Sequence, residues 1–233
     1  VRADSGIELA SFRETGDGPK GLIDAADRLA RALRSRAGES LRAVNATPPL
    51  SQATTNSLDA LRKYSESMRA NTIGDRRAVA LAREAVAIDS TFASAWSNLG
   101  AYLSNYGGKR SAMDSAISLA YRYRDRLPTN ERDNVVARYY GMGPGRDRAK
   151  SIAAYETIEQ RDSGTSLVNL GEQFRSRREY ARTESLNLAY VMRVPRSGSA
   201  LGNAVEMQLN QGKLKEAAAT AVRLRAVSEF YGT

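Results

Sequence analysis

The feature that most constrains this chain is a set of apolar residues with helical spacing in residues 96–103. Trp96, Leu99 and Leu103 stand at i, i+3 and i+7, so they share one face of an α-helix. Gly100 falls on the same face, where a glycine inside a helix costs about 1 kcal/mol relative to alanine. Such a cost needs a packing reason, and we expect a second helix to approach closely at Gly100. The stretch therefore predicts the first helix of a packed helix pair.

The same pattern recurs with a period of 34 residues. Positions 20, 24 and 27 of four repeats hold mostly small or apolar residues: Ala78, Ala82 and Ala85; Ala112, Ala116 and Leu119; Ser151, Tyr155 and Ile158; Ala217, Ala221 and Leu224. Another repeat places Leu167, Leu170, Gly171 and Phe174 where the stretch of Trp96 has its apolar residues and glycine. A single helix pair is too small to bury its apolar face, so stacked pairs form one continuous core. The sequence predicts a mainly α protein, a right-handed α-solenoid of about five helix pairs over residues 51–233, with Trp96, Leu103, Phe174 and Tyr180 in its core.

Two repeats depart from this pattern. The second carries about five additional residues, Arg122–Pro128, after its second helix. The third has a poorly matching first helix around Glu131–Tyr140, followed by the glycine-rich segment Gly141–Gly145. No strand precedes that segment and no Gly-Lys-Ser/Thr follows it, so we predict a turn and no phosphate-binding loop.

The first 50 residues form a different unit. Residues 1–14 alternate polar and apolar side chains and contain the turn signal Asp4-Ser5-Gly6, which predicts a small β-hairpin. A long amphipathic helix is predicted from Asp17-Gly18-Pro19 to about Val44, and Asn45–Thr54 is predicted as a linker. We interpret residues 1–50 as the remnant of a preceding α/β domain.

The residue types that are absent restrict the chemistry. The chain has no cysteine and no histidine, which excludes disulfides, thiol nucleophiles and Ser-His triads and disfavours most transition-metal sites. General acid–base catalysis usually depends on histidine or on paired carboxylates. Glu172 and Glu206, on the first helices of adjacent repeats, are the one carboxylate pair that we consider for catalysis. We therefore expect no enzyme, no metal and no cofactor.

The charge distribution bears on the partner. The net charge is +9, and residues 1–57 hold eight basic and seven acidic groups, so +8 of it lies in residues 58–233. This excess would attract an acidic protein or peptide, and self-association is also compatible with it. The alternative is nucleic-acid binding, for which Tyr121-Arg-Tyr-Arg124 interleaves aromatic and basic residues as a stacking platform requires.

The concave side of a solenoid, lined by successive first helices, is the predicted binding surface. Its polar positions give a candidate peptide-binding groove of nine residues: Asn98, Ser104, Asn105, Asn169, Glu172, Arg175, Asn203, Glu206 and Asn210. An asparagine offers both a donor and an acceptor, which suits the backbone of an extended peptide. Equally, the repeated asparagines could keep neighbouring helices in register.

Residues 56–233 resemble a tetratricopeptide repeat domain, whose first helix carries W-x2-L-G-x2-Y. The whole chain is similar to the C-terminal region of bacterial multidomain Ser/Thr protein kinases and related signalling proteins, through Gly6–Arg13, Arg34–Leu41 and Thr54–Leu61. The resemblance implies a protein-binding or scaffold region with any catalytic domain elsewhere, since no kinase motif occurs here. Some repeats of this family hold a peptide's C-terminal carboxylate with Lys, Arg and Asn. Asn98 is similar to one such Asn, whereas Ser94, Thr165 and Ser199 stand where basic residues are expected.

Compartment is not determined by the residues. The chain has no apolar run of about 18 residues and no signal peptide at its start. It also begins abruptly at Val1, so we expect a fragment of a longer protein. We expect a soluble bacterial domain, either cytoplasmic or the extracytoplasmic part of a membrane-anchored protein.

Overall fold

The computed structural model describes residues 11–40, 44, 55–162, 164 and 166–231. In these residues the chain forms eleven α-helices and one 3-10 helix, Arg124–Arg126, and it forms no strand. The α-helices are α1 (Gly18–Arg36), α2 (Leu58–Thr72), α3 (Arg77–Ile88), α4 (Ala93–Asn105), α5 (Arg110–Arg122), α6 (Thr129–Gly141), α7 (Arg148–Arg161), α8 (Leu167–Arg175), α9 (Tyr180–Arg193), α10 (Gly198–Asn210) and α11 (Leu214–Tyr231).

Helices α2 to α11 form five pairs that stack in chain order. Within each pair the two helices pack along their length, and the second helix of each pair contacts the first helix of the next. Hydrogen bonds repeat this order one period apart. The Thr55 hydroxyl donates to the Asp89 carboxylate at 2.6 Å, and the Asn98 side-chain amide donates to the Tyr64 hydroxyl at 3.3 Å. The predicted solenoid of about five helix pairs is confirmed.

The core follows the repeat positions. Ala78, Ala82 and Ala116 are buried almost completely, so their small side chains let helices pack closely. Of the four aromatic and aliphatic residues predicted to lie in the core, Leu103 and Phe174 are buried, whereas Trp96 and Tyr180 are half-buried. Trp96 still packs against two core clusters while its indole N–H donates to the carbonyl of Ser90.

Gly100 has the packing reason that the sequence required. A Cβ atom at this position would lie 2.6 Å from Cγ1 of Ile117 on α5, closer than van der Waals contact allows. The missing side chain therefore brings α4 and α5 together.

The third pair has a longer loop between its two helices than the fourth pair. The Ser151 hydroxyl on α7 donates to the Ala137 carbonyl on α6 at 2.8 Å, as the Thr183 hydroxyl donates to the Gly171 carbonyl at 3.1 Å in the fourth pair. Ser151 follows Ala137 by 14 residues, whereas Thr183 follows Gly171 by 12. The loop over residues 142–147 therefore carries two additional residues, and this shift explains why the first helix of this repeat matched the pattern poorly.

The predicted length of the N-terminal helix was wrong. The helix α1 ends at Arg36 instead of near Val44. Gly38 adopts a φ of 91°, which only glycine reaches easily, and the backbone N–H of Glu39 donates to the Arg34 carbonyl at 3.1 Å. The side chains of Glu39 and Arg34 also form an ion pair. A backbone hydrogen bond and a side-chain ion pair between the same two residues therefore stabilise this helix end.

Two other predictions fall largely outside the described residues. Residues 11–16 have no regular secondary structure, and the rest of the predicted hairpin, residues 1–10, is outside that range. The linker Asn45–Thr54 is outside it as well. In the described part of the chain, no helix is long and apolar enough to cross a membrane.

Candidate functional site

The first helices of four successive pairs share one polar cavity. Its volume is about 280 Å³, and it is open to solvent on the face that the first helices line. The lining residues come from α2 (Tyr64), α4 (Ser94, Ser97 and Asn98), the segment before α6 (Leu127), α6 (Glu131, Asn134, Val135 and Arg138) and α8 (Asn169). We call this site the groove cavity. It lies on the surface that the repeat pattern predicted for binding.

Helical periodicity places these side chains together on α6. Glu131, Asn134, Val135 and Arg138 stand at i, i+3, i+4 and i+7, which puts them on a single face of the helix. Val135 is buried at the base of this face, whereas Asn134 and Arg138 are half-buried and Glu131 is exposed. The helix thus presents a carboxylate, an amide and a guanidinium to the cavity.

On α4, one helix separates two different surfaces. Ser94, Ser97 and Asn98 face the groove cavity, while Trp96, Leu99 and Leu103 face the opposite side of the same helix. That opposite side borders an apolar groove of about 400 Å³ between α3 and α5, which we call the outer groove. Its other lining residues are Arg83, Val86, Ala87, Ala112, Ser115, Ala116 and Leu119.

Two contacts connect α4 with α6 inside the groove cavity. The Ser94 hydroxyl donates to the Glu131 carboxylate at 2.7 Å. The Arg138 guanidinium donates to the hydroxyl oxygen of Ser97 at 2.9 Å and to its carbonyl oxygen at 3.3 Å. Small serine side chains therefore orient both charged groups of α6, and neither serine neutralises the charge that it contacts.

The electrostatics of the cavity affect the neighbouring tyrosines. Burial and the Glu131 carboxylate raise the pKa of the Tyr64 hydroxyl to about 12, against an opposing effect of Arg138. Burial also raises the pKa of the Tyr155 hydroxyl, which the adjacent Arg138 guanidinium partly offsets. Tyr64 is therefore protonated at neutral pH and can donate a hydrogen bond into the cavity.

The predicted groove residues have three different environments. Asn98 and Asn169 line the groove cavity. Asn203 is half-buried, and its amide donates to the buried Asn187 side chain on α9 at 3.2 Å, a contact that holds neighbouring helices in register. The others predicted do not line the cavity: Ser104, Asn105, Arg175, Glu206 and Asn210 are exposed, and Glu172 is half-buried.

The carboxylate pair considered for catalysis is bridged by an arginine. Arg175 contacts Glu172 at 2.9 Å and Glu206 at 3.1 Å, so its guanidinium lies between the two carboxylates. A catalytic dyad places two carboxylates in direct contact, whereas here a guanidinium lies between them. This arrangement is that of a surface ion-pair network.

The aromatic platform considered for nucleic acid is occupied by the chain itself. The Tyr121 ring stacks on the Tyr139 ring with centroids 3.9 Å apart. The Arg124 guanidinium lies 4.0 Å from the centroid of the same Tyr121 ring. Stacking with a base needs a free ring face, and these two contacts use the ring of Tyr121. The contact with Tyr139 joins α5 to α6.

Sequence reasoning missed most of the groove cavity. Tyr64, Ser97, Asn134 and Arg138 were not singled out. Ser94 was named only as standing where a basic residue is expected, and Glu131 only as part of a poorly matching helix. A polar stripe at i, i+3 and i+7 was present in α6, but the search for apolar repeat positions passed over it.

Comparisons with known proteins bear on the fold. No protein-family model matches the chain, and no curated protein is detectably similar to it. Among solved structures, PilW, described as a widely conserved type IV pilus biogenesis factor, is 15% identical with a TM-score of 0.50, covering 73% of this chain and 78% of PilW. MamA is 13% identical with a TM-score of 0.41, covering 73% of this chain and 92% of MamA. A Podosopora anserina putative kinesin light chain with nearly identical TPR-like repeats is 13% identical with a TM-score of 0.41, and the match covers 72% of this chain and 94% of the kinesin light chain structure.

The helix pairs, their stacking in chain order and the similarity to PilW agree on one architecture. The chain has the fold of a tetratricopeptide repeat solenoid.

Proposed function

We propose that this chain is a protein-interaction module that holds a peptide or protein segment in its concave groove without chemical turnover. The observation that supports the proposal most directly is the groove cavity, to which the first helices of four successive pairs contribute polar side chains. A segment held in this cavity would meet donors and acceptors from these helices, including the amides of Asn98, Asn134 and Asn169.

The resemblance to bacterial signalling proteins supplies a context for this module. A scaffold in such a protein would bring a partner to a domain elsewhere in the same protein. This part of the proposal depends on the sequence resemblance alone.

A crosslinking pull-down from a bacterial extract tests the groove. Asn134→Phe would fill the cavity, whereas Arg132→Phe places the same ring on another face of α6, since Arg132 does not line the cavity. We expect a protein captured by the wild-type chain and by Arg132→Phe to be lost with Asn134→Phe. Circular dichroism melting of each variant identifies any loss of folding.

Two results would contradict the proposal. Capture of the same protein by Asn134→Phe would place the binding surface outside the groove cavity. Nucleic acid captured equally by all three proteins and released by salt would favour the alternative function, because phosphate contacts weaken steeply with ionic strength.

A further inference from the structure

The groove cavity contains one acidic and one basic group that do not neutralise each other. In the described part of the chain, Arg138 forms no ion pair with a carboxylate, and Glu131 forms none with a cation. Other charges nearby behave differently: Asp133, on another face of α6, pairs with Arg161 at 3.0 Å. Both charged groups of the cavity are thus held in place by serines and lack a counter-charge.

A half-buried guanidinium without a carboxylate is an anion-binding group. Arginine carries five N–H donors, and the described contacts of Arg138 are with neutral groups, the hydroxyl and carbonyl of Ser97 and the hydroxyl of Tyr155. Partial burial weakens the hydration of the guanidinium, so a carboxylate that approaches it gains more than it would at a fully exposed site. The same reasoning applies less strongly to Glu131, which is exposed.

The spacing of the two charges indicates the form of the ligand. Arg138 follows Glu131 by seven residues on one face of α6, which corresponds to about 10 Å along the helix axis. A peptide in the extended polyproline II conformation has three residues per turn and rises about 3.1 Å per residue, so side chains three residues apart lie on the same face about 9 Å from each other. Between the two charges lies Asn134, which can bond to a peptide backbone.

We propose that the groove cavity recognises an extended peptide segment of mixed charge. An Asp or Glu side chain of the segment binds Arg138, and a Lys or Arg side chain about three residues away binds Glu131. This inference depends on the proposed function and names the partner's chemistry. The net charge of +9 favours an acidic partner. The inference differs from that expectation, because the local charges of the cavity have both signs.

Peptide selection tests the inference. A library of random peptides, fused at both ends so that no free carboxylate is present, is selected on the wild-type chain and on Arg138→Gln, Glu131→Gln and Arg132→Gln. Arg132→Gln is the matched control, since it removes a charge from α6 outside the cavity. We expect wild type and Arg132→Gln to enrich an acidic and a basic residue about three positions apart. Arg138→Gln should lose the acidic preference only, and Glu131→Gln the basic preference only.

Affinities of a selected peptide then measure the Arg138 contact directly. Replacing its acidic residue by the neutral amide should weaken binding to the wild-type chain about tenfold, and should change binding to Arg138→Gln much less. Arg138→Lys keeps the charge and should keep the acidic preference. If Arg138→Gln does not fold, Arg138→Lys and the exposed Glu131→Gln still give the comparison.

The outcomes separate this inference from the proposed function. Selected peptides that lose binding with Asn134→Phe but show no charge preference, or keep it in Arg138→Gln, would overturn the mixed-charge inference and leave the groove as the binding site. A second library is displayed with a free C-terminus; if it alone yields binders, the mixed-charge inference is overturned also. No selected peptide from either library, or peptides that bind Asn134→Phe as well as wild type, would overturn the proposed function itself.

Discussion

The second and third helix pairs use the same architecture for different purposes. In the second pair, α4 and α5 meet at Gly100, where Ile117 occupies the space of a missing side chain. In the third pair, α6 carries Ala137 in the corresponding contact and reaches α7 through the Ser151 hydroxyl. The second pair matches the repeat pattern closely, and the third matches it poorly.

The difference shows where packing constrains this chain and where it does not. The apolar face of a first helix must fit its neighbours, so its residues repeat. The groove face of the same helix contacts solvent or a ligand, so its residues are free to vary. The two charged residues of the groove cavity, Glu131 and Arg138, come from the helix with the weakest match to the pattern.

Among substitutions that test this difference between the two pairs, Gly100→Leu is expected to change the free energy of unfolding most. The new side chain would collide with Ile117, and we expect the free energy of unfolding to fall by about 3 kcal/mol. Chemical denaturation measures this change. Gly202→Ala is the control, because the nearest atom to a Cβ there is 4.0 Å away. This control should be neutral or stabilising by up to about 1 kcal/mol. Unchanged stability of Gly100→Leu would mean that α4 and α5 are not closely packed.

A smaller effect is expected where the third pair meets the second. Tyr139→Leu removes a ring that stacks on Tyr121 and packs edge-on against Tyr140. We expect a loss of about 1.5 kcal/mol in the free energy of unfolding, from the ring contacts and the lost area together. A double-mutant cycle with Tyr121→Leu isolates the stacking contribution. Additive effects of the two substitutions would contradict direct stacking.

The hydroxyl contacts within the third and fourth pairs should contribute equally to the free energy of unfolding. Ser151→Ala and Thr183→Val each remove a buried hydrogen bond to a first-helix carbonyl. We expect each to cost about 1 kcal/mol, measured by thermal or chemical unfolding. A loss confined to Thr183→Val would show that the two additional loop residues of the third pair change how α6 and α7 are held together.

The smallest effect on stability is expected at the groove. Arg138→Gln removes a charge that has no carboxylate partner in the described residues, and glutamine can still bond to Ser97. We expect the free energy of unfolding to change by less than about 0.5 kcal/mol. A large loss of stability would mean that Arg138 is a structural residue of the α4–α6 contact, in place of a ligand-binding one.

The sequence predicted the parts of the fold that depend on repeated packing. Five helix pairs followed from small residues such as Ala78 and Ala82, because close helix contacts tolerate few alternatives at those places. The end of α1 was missed, because an amphipathic pattern continues past Gly38 although the backbone there turns.

The groove was predicted less well. Asn98 and Asn169 were placed on the correct surface by their repeat position. Arg138 on α6 contacts Ser97 on α4, a residue 41 positions earlier in the sequence. In addition, the two additional loop residues between α6 and α7 shift α6 by two positions when the 34-residue period is counted back from α7. A periodicity rule that reads apolar positions gives no information about such a polar pair.

The crystal structure of the chain with a peptide selected on the wild-type protein tests the central claim most directly. We expect the peptide to lie extended along α6 within the groove cavity, with one of its carboxylates at the Arg138 guanidinium and a basic side chain at Glu131. A peptide bound instead in the outer groove beside Trp96, on the opposite face of α4, would contradict the account.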